Sequence, residues 1–429
     1  MAEQKYTISD IIETYISGDW GNDEPTEDAS CPVSCIRGAD IVPIYNSEYR
    51  NIPLRYISEK SLSNRALREG DIVIEKSGGS PTQSTGRVVY ISKELLEEKQ
   101  DIVCSNFCAA FRIKPEWDAK YVYYYLQHIY NAGVFFNFEG KTSGLKNLIM
   151  DTAFKSITIK KIAIETQRSI ATVLSTIVSK MAANRAINHY LEAMAKQLYD
   201  YWFVQFDFPD ENGKPYKSSG GKMVWNDKLK REIPEGWSDG CFSDIANITM
   251  GQSPDGSSYN EEGNGVIFYQ GSTDFGIRFP SVRMYTTAPT RFAKRGDILM
   301  SVRAPVGAVN IANADCCIGR GLSAINAKIG TITYIYFVIH YLKVRFDNLN
   351  SAGTTFGSIT KDELHGLPVV VPSDDVLKLF ESASKPIFDM QMNIGQEIEG
   401  LTLQRDELLP LLMNGQVSVR QLNNDLANG

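Results

Sequence analysis

A tandem duplication constrains the fold of this 429-residue chain more than any other feature of its sequence. The tripeptide Gly-Asp-Ile at residues 70–72 returns at residues 296–298, which is a shift of 226 residues. Each copy starts a short apolar run, and the run ends at a cation, Lys76 in the first copy and Arg303 in the second. A repeat over so long a distance predicts two domains built on one plan.

Two further motifs repeat in the same order. "GKTSG" at residues 140–144 is matched by "GTTFG" at residues 353–357, and "SDI" at residues 9–11 is matched by "SDI" at residues 243–245. The shift between the copies falls along the chain, as loop deletions would produce. We therefore interpret the chain as two similar halves of roughly 210–230 residues each, and not as a short-period solenoid.

Each half ends in a long segment with a heptad pattern, in which seam positions recur at alternating steps of three and four residues. The predicted seam is Ile170, Val173, Ile177, Lys180, Asn184, Ile187, Leu191, Met194, Leu198 and Tyr201 in the first segment, and Phe380, Ala383, Ile387, Met390, Ile394, Glu397, Leu401, Gln404, Leu408 and Leu411 in the second. Two helices of about 40 residues, each ~60 Å long, are expected to pack antiparallel. Pro386 is expected to kink or restart the second helix.

The part of each half before its heptad segment has a mixed pattern. Short apolar runs are separated by Gly, Asn, Asp and Ser, which predicts strands and turns, and the aromatic stretches "YVYYYLQHIY" and "TYIYFVIHYL" predict buried helices. The predicted fold is α+β, with two similar α/β domains separated by two long helices packed as an antiparallel coiled coil. The expected boundaries are 1–162 for the first domain, 163–206 for the central helix, 207–374 for the second domain and 375–429 for the C-terminal helix.

The net charge of −7 is unevenly distributed. Residues 1–30 carry eight acidic side chains and one basic side chain, which accounts for the whole of it. A neutral body can still carry a basic face, so the charge neither supports nor excludes binding to nucleic acid. No apolar run reaches the length of a membrane span and the start has no signal-peptide pattern, so we expect a cytoplasmic protein without a membrane anchor.

Seven cysteines, an odd number, fit a reducing compartment better than a disulfide framework. Cys31 with Cys35, and Cys104 with Cys108, are spaced as C-x3-C and together could supply an all-cysteine zinc site. Cys108 opens an apolar run, and free cysteines are commonly buried. We therefore favour core thiols over zinc and expect no metal.

Motifs of catalysis are missing from the sequence. "EGKTSG" suggests a P-loop, but the position that requires glycine is Phe135. The four histidines form no H-x3-H or H-E-x2-H pair, and neither a G-x-S-x-G elbow nor the Asn-Pro-Pro or Asp-Pro-Pro core of an amino-methyltransferase occurs. We expect no catalytic residues in this chain.

Polar loops that follow the apolar runs suit contact with DNA. "EKSGGSPTQSTGR" at residues 75–87 and "MGQSPDGSSYN" at residues 250–260 combine glycines, which allow close approach, with small hydrogen-bonding side chains. Arginine suits the acceptor edge of guanine, and glutamine suits adenine. The candidate DNA contacts are Lys76, Ser77, Thr82, Gln83, Arg87, Gln252, Ser253, Gln270, Arg303 and Arg320.

Three long segments resemble the specificity subunits of type I restriction–modification systems. "LEAMAKQLYDYWFVQFDFP" at residues 191–209 is similar to the end of that family's central helix. "IPEGWSDGCFSDIANITMGQSP" at 233–254 is similar to the entry into its second recognition domain, and "SAGTTFGSITKDELHGLPVVVP" at 351–372 to the exit from it. The first half lacks the "PEGW" entry, and its "GKTSGLKNL" departs from the exit motif.

The resemblance implies a function without catalysis in this chain. It implies two target recognition domains that each read one half of a split, asymmetric site in double-stranded DNA, with the helices as a spacer. It also implies two modification subunits, which bind S-adenosylmethionine and methylate adenine, and restriction subunits, which use ATP and Mg²⁺ to translocate and cleave DNA. Lys141 and Thr142, with Thr354 and Thr355, would lie on the loop before each long helix, where they would meet phosphate or cap structure.

Two other functions stay open from the residues alone. The acidic total and the solvated loops also fit an interaction scaffold, with two docking domains on a coiled coil and no nucleic acid. A phosphate-handling enzyme that uses "GKTSG" is the third hypothesis.

Overall fold

The computed structural model describes residues 4–78, 83–142, 145–329, 332–343, 346–347 and 357–419. The chain divides into two compact units. The first unit comprises residues 1–183 and 400–429, and the second unit comprises residues 184–399. Both points of division fall inside long helices, so each unit contains a recognition fold together with a segment of each helix.

The helices of the described chain are α1 (Ile8–Ile11), α2 (Ile41–Tyr45), α3 (Glu59–Arg65), α4 (Lys93–Glu98), α5 (Ala119–Asn131), α6 (Met150–Ser156), α7 (Ile164–Tyr199), α8 (Phe242–Ile245), α9 (Ile332–Tyr341), α10 (Lys361–His365) and α11 (Asp374–Met413). A π-helical turn, Asp200–Val204, continues α7. Short 3-10 helices are Gly38–Asp40, Val134–Phe138, Gly256–Ser258 and Ser272–Asp274.

The strands of the first unit are β1 (Lys5–Thr7), β2 (Ile12–Ser17), β3 (Cys31–Ile36), β4 (Leu54–Ile57), β5 (Ile72–Glu75), β6 (Ser77–Gly78), β7 (Val88–Tyr90), β8 (Ile102–Cys104), β9 (Cys108–Ile113), β10 (Glu139–Thr142), β11 (Leu145–Leu148) and β12 (Thr158–Lys160). Those of the second unit are β13 (Met223–Asn226), β14 (Arg231–Pro234), β15 (Ser238–Cys241), β16 (Ala246–Met250), β17 (Tyr259–Asn260), β18 (Val266–Tyr269), β19 (Tyr285–Thr286), β20 (Phe292–Ala293), β21 (Ile298–Ser301), β22 (Val309–Ile311), β23 (Cys316–Ile318), β24 (Leu322–Ala327) and β25 (Pro368–Val371).

The two units share one sheet plan. A four-stranded antiparallel sheet has the order β2-β9-β5-β7 in the first unit and β16-β24-β21-β22 in the second. A second sheet contains one parallel pair, β3 with β8 and β18 with β23. A two-stranded ribbon, β1-β12 or β15-β25, joins the start of each recognition fold to its end. The duplicated α+β architecture predicted from the sequence is therefore present.

The Gly-Asp-Ile motifs begin equivalent inner strands, β5 and β21, and all four residues of each strand are buried. Ile72 packs into one hydrophobic core and Val73 into another, and Ile298 and Leu299 are divided in the same way. Successive side chains of a strand point to opposite faces, so a strand that is covered on both faces needs a continuous apolar run.

The repeated "SDI" segments also form equivalent elements, the short helices α1 and α8. At the start of α1 the Asp10 carboxylate accepts the backbone N–H of Thr7 at 2.8 Å, and at the start of α8 the Asp244 carboxylate accepts that of Cys241 at 2.7 Å. The aspartate thus satisfies a donor just before the first turn, which explains why the tripeptide is repeated.

The long helices run antiparallel within the second unit. Asn184 of α7 donates to Glu397 of α11. The ring of Trp202, in the π-helical turn that continues α7, contacts that of Phe380, at the opposite end of this part of α11. In the first unit the last part of α11 packs with the first part of α7, because Leu409 belongs to the same hydrophobic core as Leu174. This agrees with the predicted antiparallel pairing.

Every second position of the predicted seam is shifted in the structure, where the buried side chain lies one residue later. Alternate positions of the predicted seam are buried at Ile170 and Ile177 and partly buried at Leu191, Leu198, Ile387, Ile394, Leu401 and Leu408. The seam positions between these are less buried. Val173, Glu397 and Leu411 are partly buried, and the others are exposed: Lys180, Ile187 at 44%, Met194, Tyr201, Ala383, Met390 at 52% and Gln404. The buried side chains follow one residue later, at Leu174, Met181, Asn188, Ala195, Ser384, Gln391 and Leu412.

Polar residues at buried positions explain this difference. Gln391 is buried because its amide donates to Glu192 at 2.8 Å, and Ser384 is buried with its hydroxyl 3.0 Å from that of Thr333. A search for apolar side chains therefore prefers the exposed Ile187 and Met390 to their buried polar neighbours. The helix is also uninterrupted at Pro386, where a kink or restart was expected.

Three of the four cysteines weighed for zinc lie in the core of the first unit. Burial raises the pKa of the Cys35 thiol to about 12 and that of Cys108 to about 11, and it raises the pKa of Cys104 further. Zinc binds thiolates, and burial opposes the loss of these protons. Within the described residues, no group of three His, Cys, Asp or Glu side chains is arranged to hold a metal ion.

Candidate nucleic-acid interface

A polar cleft opens in the second unit at one edge of its sheets. It is lined by Ser253, Gln270, Gly271, Ser272, Thr273, Asp274, Arg283, Ser301, Arg303, Ala304, Arg320 and Gly321. Four of the five candidate DNA contacts of the second half, Ser253, Gln270, Arg303 and Arg320, are thus gathered in one cleft. We call this set of lining residues the second-unit cleft.

The cleft forms where strand ends converge. Gln270 directly follows β18, Arg303 lies two residues beyond β21, and Arg320 lies in the turn between β23 and β24. The backbone N–H of Gly321 donates to the Gln270 carbonyl at 3.2 Å, and that of Val302 donates to the Gly321 carbonyl at 2.9 Å. These bonds tie three separate segments together, so Gln270 and Arg320, which are 50 residues apart in the chain, project from one surface.

The charge of the second-unit cleft is positive. Arg303 and Arg320 are exposed, and neither guanidinium has a carboxylate partner within the described part of the chain. The one acidic side chain in the lining, Asp274, is buried and binds Arg283 at 2.6 Å. Exposed guanidinium groups present forks of N–H donors that fit phosphate oxygens or the acceptor edge of guanine.

Gln252, the fifth candidate of the second half, lies beside the cleft. Its side chain is exposed, its N–H donates to the Ile318 carbonyl at 3.0 Å, and its carbonyl accepts the Thr290 hydroxyl. The next residue, Ser253, accepts the backbone N–H of Arg320 at 3.2 Å through its hydroxyl. Asp274 and Arg283 belong to the cleft but were missed in the sequence, because nothing local marks a salt bridge across nine residues.

The candidate DNA contacts of the first half have more varied environments than those of the second half. Ser77 donates its hydroxyl to the side chain of Asn147, and Lys76 is half-buried beside it. Gln83 is exposed, and its carbonyl accepts Nζ of Lys146 at 3.2 Å. Thr82 lies outside the described residues.

Arg87 is part of an internal ion pair. Its Nε and Nη2 donate to the two carboxylate oxygens of Glu75 at 2.9 and 2.6 Å, and the Glu75 side chain is only 2% exposed. The pair raises the pKa of Arg87. A buried bidentate pair of this kind holds two strands together, so the structure gives Arg87 a structural contact in addition to its predicted role.

The structure also corrects the alignment of the two cations that end the apolar runs. The N–H of Lys76 donates to the carbonyl of Phe107, and the N–H of Val302 donates to that of Gly321, the residue equivalent to Phe107. Lys76 is therefore equivalent to the buried Val302, and Arg303 is equivalent to Ser77. The two cations come from neighbouring positions, whose side chains alternate in direction in an extended chain.

The "GKTSG" segment is not a phosphate loop. Its first three residues belong to β10, which pairs with β11 in an antiparallel hairpin, and β11 pairs in turn with β6. A P-loop instead connects a strand to the start of a helix. Lys141 and Thr142 thus lie on a strand, while Thr354 and Thr355 lie outside the described residues.

Comparison with known proteins agrees with the duplicated fold. The sequence model of the type I restriction modification DNA specificity domain matches residues 4–193 and 234–399, which is most of the chain and both halves of the duplication. The chain belongs to this family of specificity subunits. None of the described helices is both long and apolar enough to cross a membrane.

Individual relatives extend the likeness over most of the chain. A Methanocaldococcus jannaschii protein assigned as the specificity subunit of the type I restriction enzyme MjaX is 31% identical over 72% of this chain and 70% of its own length. The MjaIX specificity subunit of the same organism is 25% identical over 90% of this chain and 88% of its own length. The crystal structure of a type I restriction–modification S subunit from M. genitalium shares the fold, with a TM-score of 0.54, 17% identity and 95% coverage of both chains.

Membership of the family confirms the predictions of fold class and of a specificity subunit without catalytic motifs. It gives no test of the individual residues. The ten candidate DNA contacts therefore stay predictions, four of which share the second-unit cleft.

Proposed function

We propose that this specificity subunit reads a bipartite, asymmetric site in double-stranded DNA, with one half-site for each unit, and directs adenine methylation and restriction by partner subunits. The family match over both halves supports two recognition domains. The observation that carries the proposal is the second-unit cleft, where the exposed side chains of Arg303, Arg320 and Gln270 and the half-buried Ser253 meet at the ends of strands. These side chains are the donors and acceptors that read base edges in the major groove.

Partner subunits supply the chemistry in this proposal. Two modification subunits dock on the long helices, bind S-adenosylmethionine and methylate adenine, and restriction subunits use ATP and Mg²⁺ for translocation and cleavage. The helices set the spacing between the half-sites, and this chain binds none of these cofactors itself. Because its substrate is cellular DNA, we propose that the complex works in the cytoplasm.

We further propose that the recognition modules exchange as units with the boundaries 1–162 and 207–374, joined by the helical segments 163–206 and 375–429. Two modest half-site affinities on one spacer combine into selective binding through effective concentration. Replacing residues 207–374 by the equivalent segment of a related chain should change one half of the recognised site. A change in both halves would contradict separate modules.

The decisive measurement is a map of methylated adenines in cells that carry this chain and its modification partner. A split motif with two defined halves and an unread spacer is expected. A single continuous motif, or methylation independent of sequence, would contradict the proposal.

Duplex binding by the complex separates this function from a protein scaffold. A specificity subunit should bind its own site with a steep loss of affinity as salt rises, because phosphate contacts release counterions. A scaffold with no nucleic-acid function should bind random and specific duplexes equally weakly. A Lys141→Ala variant with full function would exclude the phosphate-handling enzyme.

A further inference from the structure

We propose that the first unit reads its half-site with Arg37, Ser77 and Asn106, and that Asn106 contacts an adenine. This inference rests on the proposed function. It adds the residues of the first unit that read its half-site and the base that one of them contacts. Arg37 and Asn106 carry no sequence motif. They are identified by their positions in the duplicated fold.

Backbone hydrogen bonds establish the equivalence of the two units. The N–H of Ser105 donates to the Ile36 carbonyl at 2.8 Å, and the N–H of Gly319 donates to the Tyr269 carbonyl at 2.8 Å. Each bond joins the ends of the parallel pair, β3 with β8 and β18 with β23. The residues that follow these four are therefore equivalent as well, which makes Arg37 the counterpart of Gln270, and Asn106 the counterpart of Arg320.

The third position follows from the strand that the Gly-Asp-Ile motif begins. Ser77 pairs with Asn147 of the exit hairpin, and Arg303 pairs with Ser358 in an equivalent antiparallel bridge. Ser77 is therefore the counterpart of Arg303. The three cleft residues Gln270, Arg303 and Arg320 thus have the counterparts Arg37, Ser77 and Asn106.

The counterparts converge in the first unit around one buried carboxylate. A side chain added at Gly38, next to Arg37, or at Gly78, next to Ser77, would lie 2.6 Å from Oε1 of Glu75. The Ser77 N–H donates to the carbonyl of Phe107, next to Asn106, at 3.1 Å. All three segments therefore meet at the end of β5, as their counterparts meet at the end of β21.

The side chains of the first unit differ in chemistry from those of the second-unit cleft. Asn106 is exposed and carries a donor and an acceptor, whereas the equivalent Arg320 carries donors alone. The Nε and Nη2 groups of Arg37 are held by Asp40 at 2.9 and 2.8 Å, so its charge is partly neutralised. Glu75 is likewise neutralised by Arg87. At the positions of Arg303 and Arg320, whose guanidinium groups have no carboxylate partner among the described residues, the first unit has the hydroxyl of Ser77 and the amide of Asn106.

This difference predicts the bases. An asparagine amide fits N6 and N7 of adenine in a bidentate pair, and an unpaired arginine fits O6 and N7 of guanine. The ring of Phe107, which is 57% exposed beside Asn106, suits apolar contact with a thymine methyl group. We therefore assign an A·T pair to the first half-site at Asn106, and a G·C pair to the second half-site at Arg303 or Arg320.

The test compares methylation by the complete complex on duplexes that carry each of the four bases at every position of both half-sites. Asn106→Ala should lower the preference for adenine at one first-half position by about one to two orders of magnitude, as for loss of a bidentate pair, and leave the second half unchanged. Arg320→Ala should change only the second half. Asn64→Ala, an exposed asparagine elsewhere in the first unit, is the matched control and should change neither half.

Two further variants keep the test decisive. Asn106→Arg, which carries the second-unit residue into the first, should move the preference at that position toward guanine. Ser77→Ala should weaken one neighbouring position without affecting the second half. Unchanged base preference in Asn106→Ala and Asn106→Arg, or a uniform fall at every position, would overturn the assignment. Failure of the proposed function is distinct, because the native chain itself would then yield no split motif.

Discussion

The two Gly-Asp-Ile turns have the same backbone. Gly70 and Gly296 both have φ of 91°, in the left-handed region that glycine adopts without strain. In each turn the following aspartate, Asp71 or Asp297, accepts the backbone N–H of the residue three positions earlier at 2.8 Å. The glycine and this hydrogen bond direct the chain into the inner strand, which accounts for the repetition of the motif.

The same two turns differ in how the aspartate charge is compensated. Asp71 is fully buried and receives Nε and Nη2 of Arg112, both at 2.8 Å. Asp297 faces Asn326 at the position equivalent to Arg112, and burial raises the pKa of Asp297. A duplicated scaffold therefore preserves backbone geometry more strictly than it preserves charge pairing, which is also the pattern of the two recognition surfaces.

The largest expected effect comes from a substitution that breaks the charge pair of Arg112 with Asp71 in the first unit. Arg112→Ala leaves the Asp71 carboxylate buried without its partner and should lower the free energy of unfolding by about 3–5 kcal/mol. Asn326→Ala removes one hydrogen bond to Asp297 and should cost about 1–2 kcal/mol. Hydrogen exchange of the amides in β5 and β21 measures each unit separately in the full chain. Arg50→Ala, an exposed arginine, is the control, and equal losses in the two units would contradict this comparison.

A second comparison concerns the glycine after each inner strand. Gly86 has φ of 101° and an added Cβ would lie 2.9 Å from the Phe135 ring, while Gly307 has φ of 82° and would approach the ring of Phe346 still more closely. Alanine at either position adds backbone strain to overpacking and should cost about 2–4 kcal/mol.

Gly296→Ala is the matched control for this pair, because it has a positive φ but no atom within 4 Å of the added Cβ. It should cost only the strain, about 1–2 kcal/mol. Thermal unfolding with hydrogen exchange in each unit measures all three variants. If Gly296→Ala were as destabilising as Gly307→Ala, contact with the phenylalanine ring would not explain why both units have a glycine at the position of Gly86 and Gly307.

The fold was predictable from the sequence where a repeat left a local signature. Gly-Asp-Ile fixes a turn and the strand after it, and the heptads give two long helices. The helix phase was only half predictable, because Asn188 and Gln391 occupy seam positions that an apolar pattern cannot recognise. Gln391 is compatible with burial because it has a hydrogen-bond partner on another helix, Glu192, which lies 199 residues away in the sequence.

The candidate site was predictable only in part for a related reason. Arg303 and Arg320 were found because they follow strand ends in turns with polar neighbours. Arg37 was missed because its equivalence to Gln270 depends on the parallel pairing of β3 with β8, which connects residues nearly 70 positions apart. The ion pair of Arg87 with Glu75 was missed because an arginine in a polar loop gives no sign of a buried partner.

The smallest expected effect is on how the stability of the second unit depends on pH. It sharpens the comparison of Asp71 with Asp297. Burial raises the pKa of Asp297 above its ordinary value of 3.8, and it outweighs the hydrogen bonds from the Lys294 backbone and the Asn326 side chain, which lower that pKa. In the window between 3.8 and the folded pKa, the folded state binds more protons than the unfolded state. The second unit should therefore lose stability as pH rises through the folded pKa of Asp297.

Asp297→Asn should remove this loss, since an amide keeps the acceptor for the backbone N–H without a charge. The variant should be as stable as the native chain below pH 3.8 and more stable above the folded pKa, by about 1 kcal/mol or less. Asp255→Asn is a control of opposite sign, because hydrogen bonds from Ser257 lower the pKa of Asp255. Urea unfolding of the second unit between pH 3 and pH 8 measures both, and parallel curves for native and Asp297→Asn chains would mean that Asn326 compensates the charge as fully as Arg112 does.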